Sequence, residues 1–286
     1  MNKLVDARYG QFIYPDKDMY VGRSLEKYGE YSYFEATLLK SLITEGDVVI
    51  DVGANIGALT VPLAQAAGPG GYVVAFEPQQ YLYYTLCGNV ALNNLYNTHV
   101  FQRIVSDVND EIRTIPVFDY EKEGNFGAMS ANDVTGEAVL ASPVKTISID
   151  ALQLTFAKLI KIDVEGAELE VLKGAVNTIQ RSNSYLYVEC TDVEHAHGLL
   201  EFFDSISYDY LFHQPPMFNS NNFFGNKVDI LGEGILEDEQ GRKPQVVSGN
   251  ILAFPKGEAV IPTDDFFVEF EDSLIGKSIM EIRNGI

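Results

Sequence analysis

The segment Val48–Gly57, with the sequence VVIDVGANIG, constrains the fold of this 286-residue chain more than any other. Its first half is apolar and mostly β-branched apart from Asp51, which is typical of a central parallel strand covered on both faces. Gly53 and Gly57 then bracket a tight turn, and Asn55 is the non-glycine type that best tolerates a left-handed backbone. Apolar residues at helical spacing follow, so the segment predicts a strand, a turn and a helix.

Such a turn brings backbone amides and the positive end of a helix to the carboxyl edge of a sheet, where α/β proteins bind nucleotides. A dinucleotide site has the pattern G-x-G-x-x-G beneath a pyrophosphate, whereas this chain has Asp51 two residues before Gly53. Because adjacent anions repel each other, Asp51 disfavours a pyrophosphate. S-adenosyl-L-methionine carries an ammonium and a sulfonium instead, and Asp51 suits it better. The structural alternative is an ordinary turn with two glycines.

The composition of the chain disfavours several classes of binding partner. The formal net charge is -21, which disfavours nucleic acid and an anionic membrane surface because both bind through Lys and Arg. No window reaches the roughly 18 apolar residues of a membrane span, and no signal-peptide pattern is present. The two cysteines and four histidines form no disulfide or metal pattern. We therefore expect a cytoplasmic protein without nucleic acid partner, membrane span or metal.

Two further segments predict contacts to an adenosine ligand. Glu77 ends the apolar run Tyr72–Phe76 and lies 20 residues beyond Gly57, where an acid can accept hydrogen bonds from both ribose hydroxyls. Dinucleotide enzymes use the same device, and a helix-capping role for Glu77 is the structural alternative. Ser106 and Asp107 end the next predicted strand, and we expect them to contact the adenine amino group, although Ser-Asp is also a common turn.

Charged residues also interrupt the strand within Lys158–Leu169. Its alternation places Lys161, Asp163 and Glu165 on one side, and Gly166 marks the turn into a helix. Charges inside a central strand are costly unless they are paired. We therefore expect Asp163 and Glu165 to face a ligand at the strand end, whereas Lys161 either pairs with Asp163 or faces the same ligand.

The chain is expected to form one main domain with additions at both ends. Residues 1–45 are predicted to be a cap of a hairpin, with its turn near Pro15–Lys17, and a helix. Residues 46–260 form the main domain, in which the polar and aromatic segment 214–248 is predicted to be an acceptor-side insertion. The tail 261–286 alternates acids with phenylalanines, and we expect it to dock on its own chain or on a second subunit, giving a homo-oligomer.

Taken together, five blocks resemble the FkbM-type family of S-adenosylmethionine-dependent methyltransferases. The resemblance spans about residues 29–255 and rests on Val49–Gly57, Phe76–Pro78, Asn125–Ser130, Ile149–Leu152 and Lys161–Glu168. It implies an α/β class I methyltransferase (Rossmann-like) fold, with a mostly parallel seven-stranded sheet and helices on both faces. It also implies methyl transfer, commonly to an oxygen of a sugar or other natural-product acceptor, with a cofactor site lined by Asp51, Gly53, Asn55, Gly57 and Glu77.

A hydroxyl acceptor benefits from a general base, and position at a strand end makes Asp163 the first choice, Glu165 the second and His213 the third. Asp163 is also expected to contact the cofactor. An alternative within the same fold is a metal-assisted reaction, in which Asp163, Glu165 and Glu189 would supply oxygen ligands. A non-catalytic binding module and a nicotinamide dehydrogenase are the remaining alternatives.

Overall fold

A computed structural model describes residues 1–127, 141–190, 193–231, 248–258 and 264–268. The strands are β1 Asn2–Ala7, β2 Gly10–Pro15, β3 Val48–Val52, β4 Tyr72–Phe76, β5 Thr98–Phe101, β6 Ile104–Val105, β7 Ile112–Pro116, β8 Ala141–Ile147, β9 Leu159–Ile162, β10 Tyr185–Glu189, β11 Tyr208–His213, β12 Asn250–Pro255 and β13 Phe267–Val268. The helices are α1 Val21–Tyr28, α2 Tyr33–Ser41, α3 Thr60–Ala67, α4 Gln80–Leu92, α5 Glu168–Lys173, α6 Val176–Ser182 and α7 Val193–Ser205.

The main sheet has the order β13-β11-β12-β10-β9-β3-β4-β5. Five neighbouring strands, from β10 to β5, are parallel, and β12 runs antiparallel to both of its neighbours. The predicted seven-stranded, mostly parallel α/β sheet is thereby confirmed, and the two-residue strand β13 extends one edge. Parallel strands share one carboxyl edge, so the residues that follow β3, β4, β9 and β10 meet there.

Strand β3 lies in the middle of the sheet because both of its faces are covered. All five of its residues are buried, with Ile50 and Val52 in one apolar cluster and Val49 in a second one. At Gly53 the backbone takes a φ of 75°, and a Cβ atom there would lie 1.7 Å from the carbonyl oxygen of Asp163. The turn after β3 can therefore approach the end of β9 this closely only with glycine. Asn55 adopts the left-handed backbone that the sequence predicts, with a φ of 52°.

The predicted turn of the N-terminal hairpin was wrong. The hairpin pairs β1 with β2, whereas the run after Pro15 leads into helix α1. The reason lies in Asp18, whose Oδ1 accepts hydrogen bonds from the amides of Tyr20 and Val21 and so satisfies amides at the start of that helix.

The helix predicted after Gly166 is divided in the structure into α5 and α6. The division lies beside Gly174, where a Cβ atom would lie 2.2 Å from the Ser106 carbonyl oxygen.

Helix α4 anchors the cap to the main sheet through a buried asparagine. The Oδ1 of Asn89 accepts a hydrogen bond from the Ile13 amide at 2.6 Å, and its Nδ2 donates to the carbonyl oxygens of Ile13 and Ile56 at 2.9 and 2.8 Å. One side chain therefore joins β2 to the turn that follows β3. Helix α2 packs beside α3 through a shared apolar cluster. These contacts place the cap next to the carboxyl edge of the sheet.

Two residues of the tail pack on the chain itself. The ring of Phe266 lies 4.8 Å from that of Phe34, and the ring of Phe267 stacks on His213 at 4.6 Å. Residues 261–263 and 269–286 of the predicted tail lie outside the described residues, as do residues 232–247 of the predicted insertion and residues 128–130 of the block Asn125–Ser130. Within the described part of the chain, no helix has the length and apolar character that crossing a bilayer requires.

Candidate functional site

A cavity of about 590 Å³ opens at the carboxyl edge of the main sheet. This volume falls within the range of about 300–1,000 Å³ that is usual for small-molecule sites. Its walls come from the residues after β3, β4, β9 and β10, from helix α2 and from residues 248–250. Of the residues that the sequence predicts for the site, five line this cavity: Gly53, Asn55, Glu77, Asp163 and Glu165.

Glu77 is fixed by the main chain. Its Oε2 accepts a hydrogen bond from the Asn55 amide and its Oε1 accepts one from the Gln79 amide, each at 2.9 Å. Burial raises the pKa of Glu77 to about 7, although these two hydrogen bonds act in the opposite direction. Each carboxylate oxygen retains a further lone pair, so two adjacent hydroxyls of a ligand could donate to them. We call Gly53, Asn55 and Glu77 the turn half of the site.

Lys161 lies at the centre of a buried charge network. Its Nζ is 3.1 Å from Asp163 Oδ2 and 3.4 Å from Asp51 Oδ1, and it donates a hydrogen bond to the Gly53 carbonyl oxygen at 3.0 Å. Burial alone would lower the pKa of Lys161, but the carboxylates of Asp163 and Asp51 outweigh it and raise that pKa. Lys161 also lines the cavity, so it combines the two roles that the sequence left open.

Asp51 and Gly57 do not line the cavity, and their contact with the cofactor stays a prediction. Asp51 and Lys161 are direct partners in the pairing of β3 with β9, so Lys161 binds the carboxylate of Asp51. The second oxygen of Asp51 accepts a hydrogen bond from Thr60 Oγ1 at 2.6 Å. Asp51 therefore acts on the site through Lys161, and Gly57 packs on Leu86.

Three carboxylates meet beside Lys161. Asp163, Glu165 and Glu189 can bring one oxygen each to within 4.8 Å of one another. Burial raises the pKa of Glu189 well above its usual range, and the negative charges of Asp163 and Glu165 raise it further. Glu165 itself has a φ of 57°, which is uncommon for this residue type. The arrangement concentrates negative charge where β9 and β10 end.

Ser106 and Asp107 are also absent from the cavity lining, so the placement does not support their predicted contact with adenine. The hydroxyl of Ser106 instead lies 3.1 Å from Glu170 Oε2 and 3.2 Å from the Arg113 guanidinium. The third predicted strand ends early, and its continuation β6 joins a separate three-stranded sheet with β8 and β7. The residues that face the cavity here are Arg103, Ile104, Val105 and Ile115.

His213 is buried behind the cavity and does not line it, so it is not placed to act as a direct base. Its Nδ1 lies 2.8 Å from the Tyr187 hydroxyl and its Nε2 lies 3.2 Å from Asp264 Oδ2. Burial lowers the pKa of His213, against the opposing effect of the Asp264 and Glu35 charges.

Sequence reasoning missed two residues of this region, Glu35 and Tyr187. Glu35 lines the cavity and is 6% exposed, and the Tyr187 hydroxyl interacts with its carboxylate. A signal for Glu35 was present, because it lies three and four residues before Leu38 and Leu39 and so occupies the buried face of α2. A carboxylate on an apolar helix face requires polar partners, and such partners are common at functional sites.

Comparisons with known proteins give one consistent family. The Methyltransferase FkbM domain model matches residues 51–212. The hexuronic acid methyltransferase AglP of Haloferax volcanii is 29% identical over 160 residues, which are 51% of this chain and 57% of that protein. This chain thus spans little more than half the length of that relative.

Two solved structures are similar at low identity. Methyltransferase FkbM from Methylobacillus flagellatus KT is 20% identical with a TM-score of 0.44, covering 66% of this chain and 47% of that one. The O-methyltransferase from Bacillus cereus in complex with SAH is 14% identical with a TM-score of 0.43, covering 78% and 80%. Because the family match alone spans more than half of the sequence, the chain belongs to the FkbM methyltransferase family.

Proposed function

We propose that this methyltransferase uses S-adenosyl-L-methionine to methylate a hydroxyl group of a sugar-containing acceptor. The observation that carries the proposal is the geometry of Glu77. Its buried carboxylate is fixed by two backbone amides, lines a 590 Å³ cavity and has lone pairs left for two hydroxyls. A ribose presents two adjacent hydroxyls, and an acid at this strand end is the usual device for binding them.

The remaining lining fits the other parts of the cofactor. Apolar side chains of Ile104, Val105 and Ile115 would cover the adenine ring, and the turn half would hold the ribose. Asp163, which the sequence predicts to contact the cofactor, lines the cavity and would lie near the charged amino-acid part. When bound, the cofactor supplies a methyl group activated by the positive charge on its sulfur.

The protein then has to hold an acceptor hydroxyl in line with that methyl group, which can account for much of the rate. A carboxylate that accepts the hydroxyl proton adds about 10²-fold or more. Asp163 and Glu165 remain the bases that the sequence predicts, and both line the cavity. If Asp163→Asn retains full turnover with unchanged cofactor affinity, Asp163 is not the base. A sugar acceptor is supported by the name of the similar hexuronic acid methyltransferase.

Calorimetry with S-adenosylhomocysteine tests the cofactor. We expect binding by the natural protein and an affinity at least about tenfold weaker in Glu77→Gln, because one charged hydrogen-bond acceptor is lost. A thermal-shift comparison with NAD addresses the dehydrogenase alternative. If the natural protein does not bind S-adenosylhomocysteine, the proposed function is wrong and the binding-module alternative gains support.

Product analysis tests the acceptor. We would incubate the protein with labelled S-adenosyl-L-methionine and p-nitrophenyl β-D-glucuronide, and with the matching glucoside, and measure the mass of the products. Methylation of either glycoside supports a sugar hydroxyl as acceptor, and preference for the glucuronide supports a hexuronic acid. The metal-assisted alternative predicts that thorough chelation abolishes this activity, so activity that survives chelation contradicts it.

A further inference from the structure

Glu35 is a second buried carboxylate that lines the cavity. Helix α2 of the cap supplies it, whereas Glu77 follows strand β4 of the main sheet. Its Oε1 accepts a hydrogen bond from Asn250 Nδ2 at 2.7 Å and another from the Ser248 hydroxyl. Besides burial, the negative charge of Glu35 and a hydrogen bond to it raise the pKa of the neighbouring Tyr187 hydroxyl. Glu35 is thus held by neutral side-chain donors and borders the space where an acceptor would bind.

Three further side chains, Tyr187, His213 and Asp264, form a series of contacts that begins beside Glu35. The Tyr187 hydroxyl lies 2.8 Å from His213 Nδ1, and His213 Nε2 lies 3.2 Å from Asp264 Oδ2. Burial raises the pKa of Tyr187 well above its usual range, so this hydroxyl keeps a proton. We call Glu35, Tyr187, His213 and Asp264 the relay half of the site.

A hydroxyl has only one proton to donate, so Tyr187 can donate either to Glu35 or to His213 Nδ1. At rest, Glu35 is ionised and His213 is neutral, with its proton on Nε2. Once one proton has been added, two arrangements are possible, and in the first Glu35 is ionised again while His213 is an imidazolium that donates to both Tyr187 and Asp264. In the second arrangement Glu35 carries the added proton and donates it to Tyr187, and His213 is still neutral. The two arrangements have the same net charge and differ only in which end of the chain holds one proton.

We propose that Glu35 accepts the proton of the acceptor hydroxyl and that Tyr187 passes it on to His213. The proposal rests on the proposed function and names the base of that reaction. As the oxygen–methyl bond forms and the sulfur–methyl bond breaks, the acceptor O–H bond breaks and its proton moves to Glu35. Glu35 then gives a proton to the Tyr187 oxygen while the original Tyr187 proton moves to His213 Nδ1. The resulting imidazolium is stabilised by the adjacent carboxylate of Asp264.

Asp163 is less suited to this step because it is already bound to Lys161 at 3.1 Å. A proton on Asp163 would leave the buried ammonium with Asp51 as its remaining carboxylate partner, and a buried charge that loses a partner is costly. A proton on Glu35 disturbs only hydrogen bonds from neutral groups. In this assignment Asp163 is a fixed anion that positions its neighbours.

The charged groups around the relay half determine the pKa that a titration of His213 would measure. Asp264 and Glu35 both act on His213, and both raise its pKa against the effect of burial. Tyr187 faces the same two carboxylates and, more distantly, Asp163. The negative charge of Glu35 also contributes to the raised pKa of Lys161. A change at Glu35 should therefore be visible at His213.

Nitrogen NMR of the histidine side chains in the cofactor-free protein tests this coupling without an acceptor. The His213 signal would be assigned by its loss in His213→Asn. We expect Glu35→Gln to lower the midpoint of the His213 titration by about one pH unit, since a facing negative charge is removed. Tyr185→Phe is the matched control, because its hydroxyl binds Glu258 and lies outside the relay half. Equal midpoints in Glu35→Gln and the natural protein would overturn the proposal.

The rate of methyl transfer to p-nitrophenyl β-D-glucuronide tests the role of Glu35 as the base. We expect Glu35→Gln to lower kcat about 100-fold and Tyr187→Phe about tenfold. The acid limb of the pH–kcat profile should move in Tyr187→Phe but not in Tyr185→Phe, and affinity for S-adenosylhomocysteine should stay unchanged in all three. Full turnover by Glu35→Gln, with loss of turnover in Asp163→Asn, would contradict the proposal. Failure of the natural protein to bind S-adenosylhomocysteine would instead contradict the proposed function, while the NMR result would still decide the coupling.

Discussion

The turn half and the relay half of the site each bury one carboxylate against the same cavity, but they hold it in different ways. Glu77 is fixed by two backbone amides, one from Gln79 two residues later in the chain and one from Asn55 in the turn after β3. Glu35 is held by the side chains of Ser248 and Asn250 and faces Tyr187. Main-chain donors cannot give up their protons, so the turn half suits a bound ligand. Hydroxyl and imidazole groups can exchange protons, so the relay half suits proton transfer.

The largest effect is expected in the turn half, from Gly53→Ala. The new Cβ atom would lie 1.7 Å from a backbone oxygen at a φ of 75°, so we expect the free energy of unfolding to fall by about 3–5 kcal/mol. Gly46→Ala is the control, because Gly46 has a φ of 99° with no atom within 4 Å. We expect it to cost about 1 kcal/mol. Urea denaturation measures both, and equal losses would show that close packing on Asp163 is not what requires glycine.

A smaller effect, which depends on pH, is expected from Glu77→Gln. Burial raises the pKa of Glu77 from 4.5 to about 7 in the folded protein, so the folded state binds this proton more tightly than the unfolded state. The stability that protonated Glu77 contributes is fully present below pH 4.5 and is lost as the pH rises through 7. Relative to Glu77→Gln, the natural protein should therefore lose about 3 kcal/mol over this window. Urea denaturation at several pH values measures this loss, and a difference independent of pH would contradict the burial of an ionisable Glu77.

The smallest effect is expected in the relay half, from Ser248→Ala. It removes one of the neutral donors to Glu35, and we expect the free energy of unfolding to fall by about 1 kcal/mol. Ser41→Ala is the control, because the Ser41 hydroxyl only binds the carbonyl oxygen of Leu38 on the exposed side of α2. If Ser248→Ala loses no more stability than Ser41→Ala, Glu35 does not depend on side-chain donors and the contrast with Glu77 disappears.

The turn half could be predicted from the sequence because its parts are local. A β-branched run, a glycine turn and an acid at the end of the next strand are short patterns, and each is fixed by backbone geometry that a few residues determine. Gly53, Asn55 and Glu77 accordingly lie together on the cavity. Asp51 belongs to the same pattern, but its contact depends on Lys161 in a strand more than 100 residues later. The sequence pattern carries no information on that strand pairing.

The relay half could not be predicted because strand order brings it together. Glu35, Tyr187 and His213 come from α2, β10 and β11, and β11 reaches β10 only across the antiparallel strand β12. His213 was singled out as a base by its residue type and its position at a strand end, but the Tyr187 hydroxyl lies between it and Glu35. The surroundings of Ser106 could not be predicted for a related reason, since Gly174 approaches its carbonyl oxygen from a distant segment.

The hydrogen bonds of Asn89 have a consequence for chimeric proteins. This one side chain binds both Ile13 in the cap and Ile56 in the turn after β3, and the cap also carries Glu35. A chimera that replaces residues 1–45 with the corresponding segment of a relative would have to present a strand edge to Asn89 as well as a carboxylate to Tyr187. Exchanging the cap therefore changes both the proposed proton acceptor and the contacts that hold the turn after β3, and neither can be exchanged without the other.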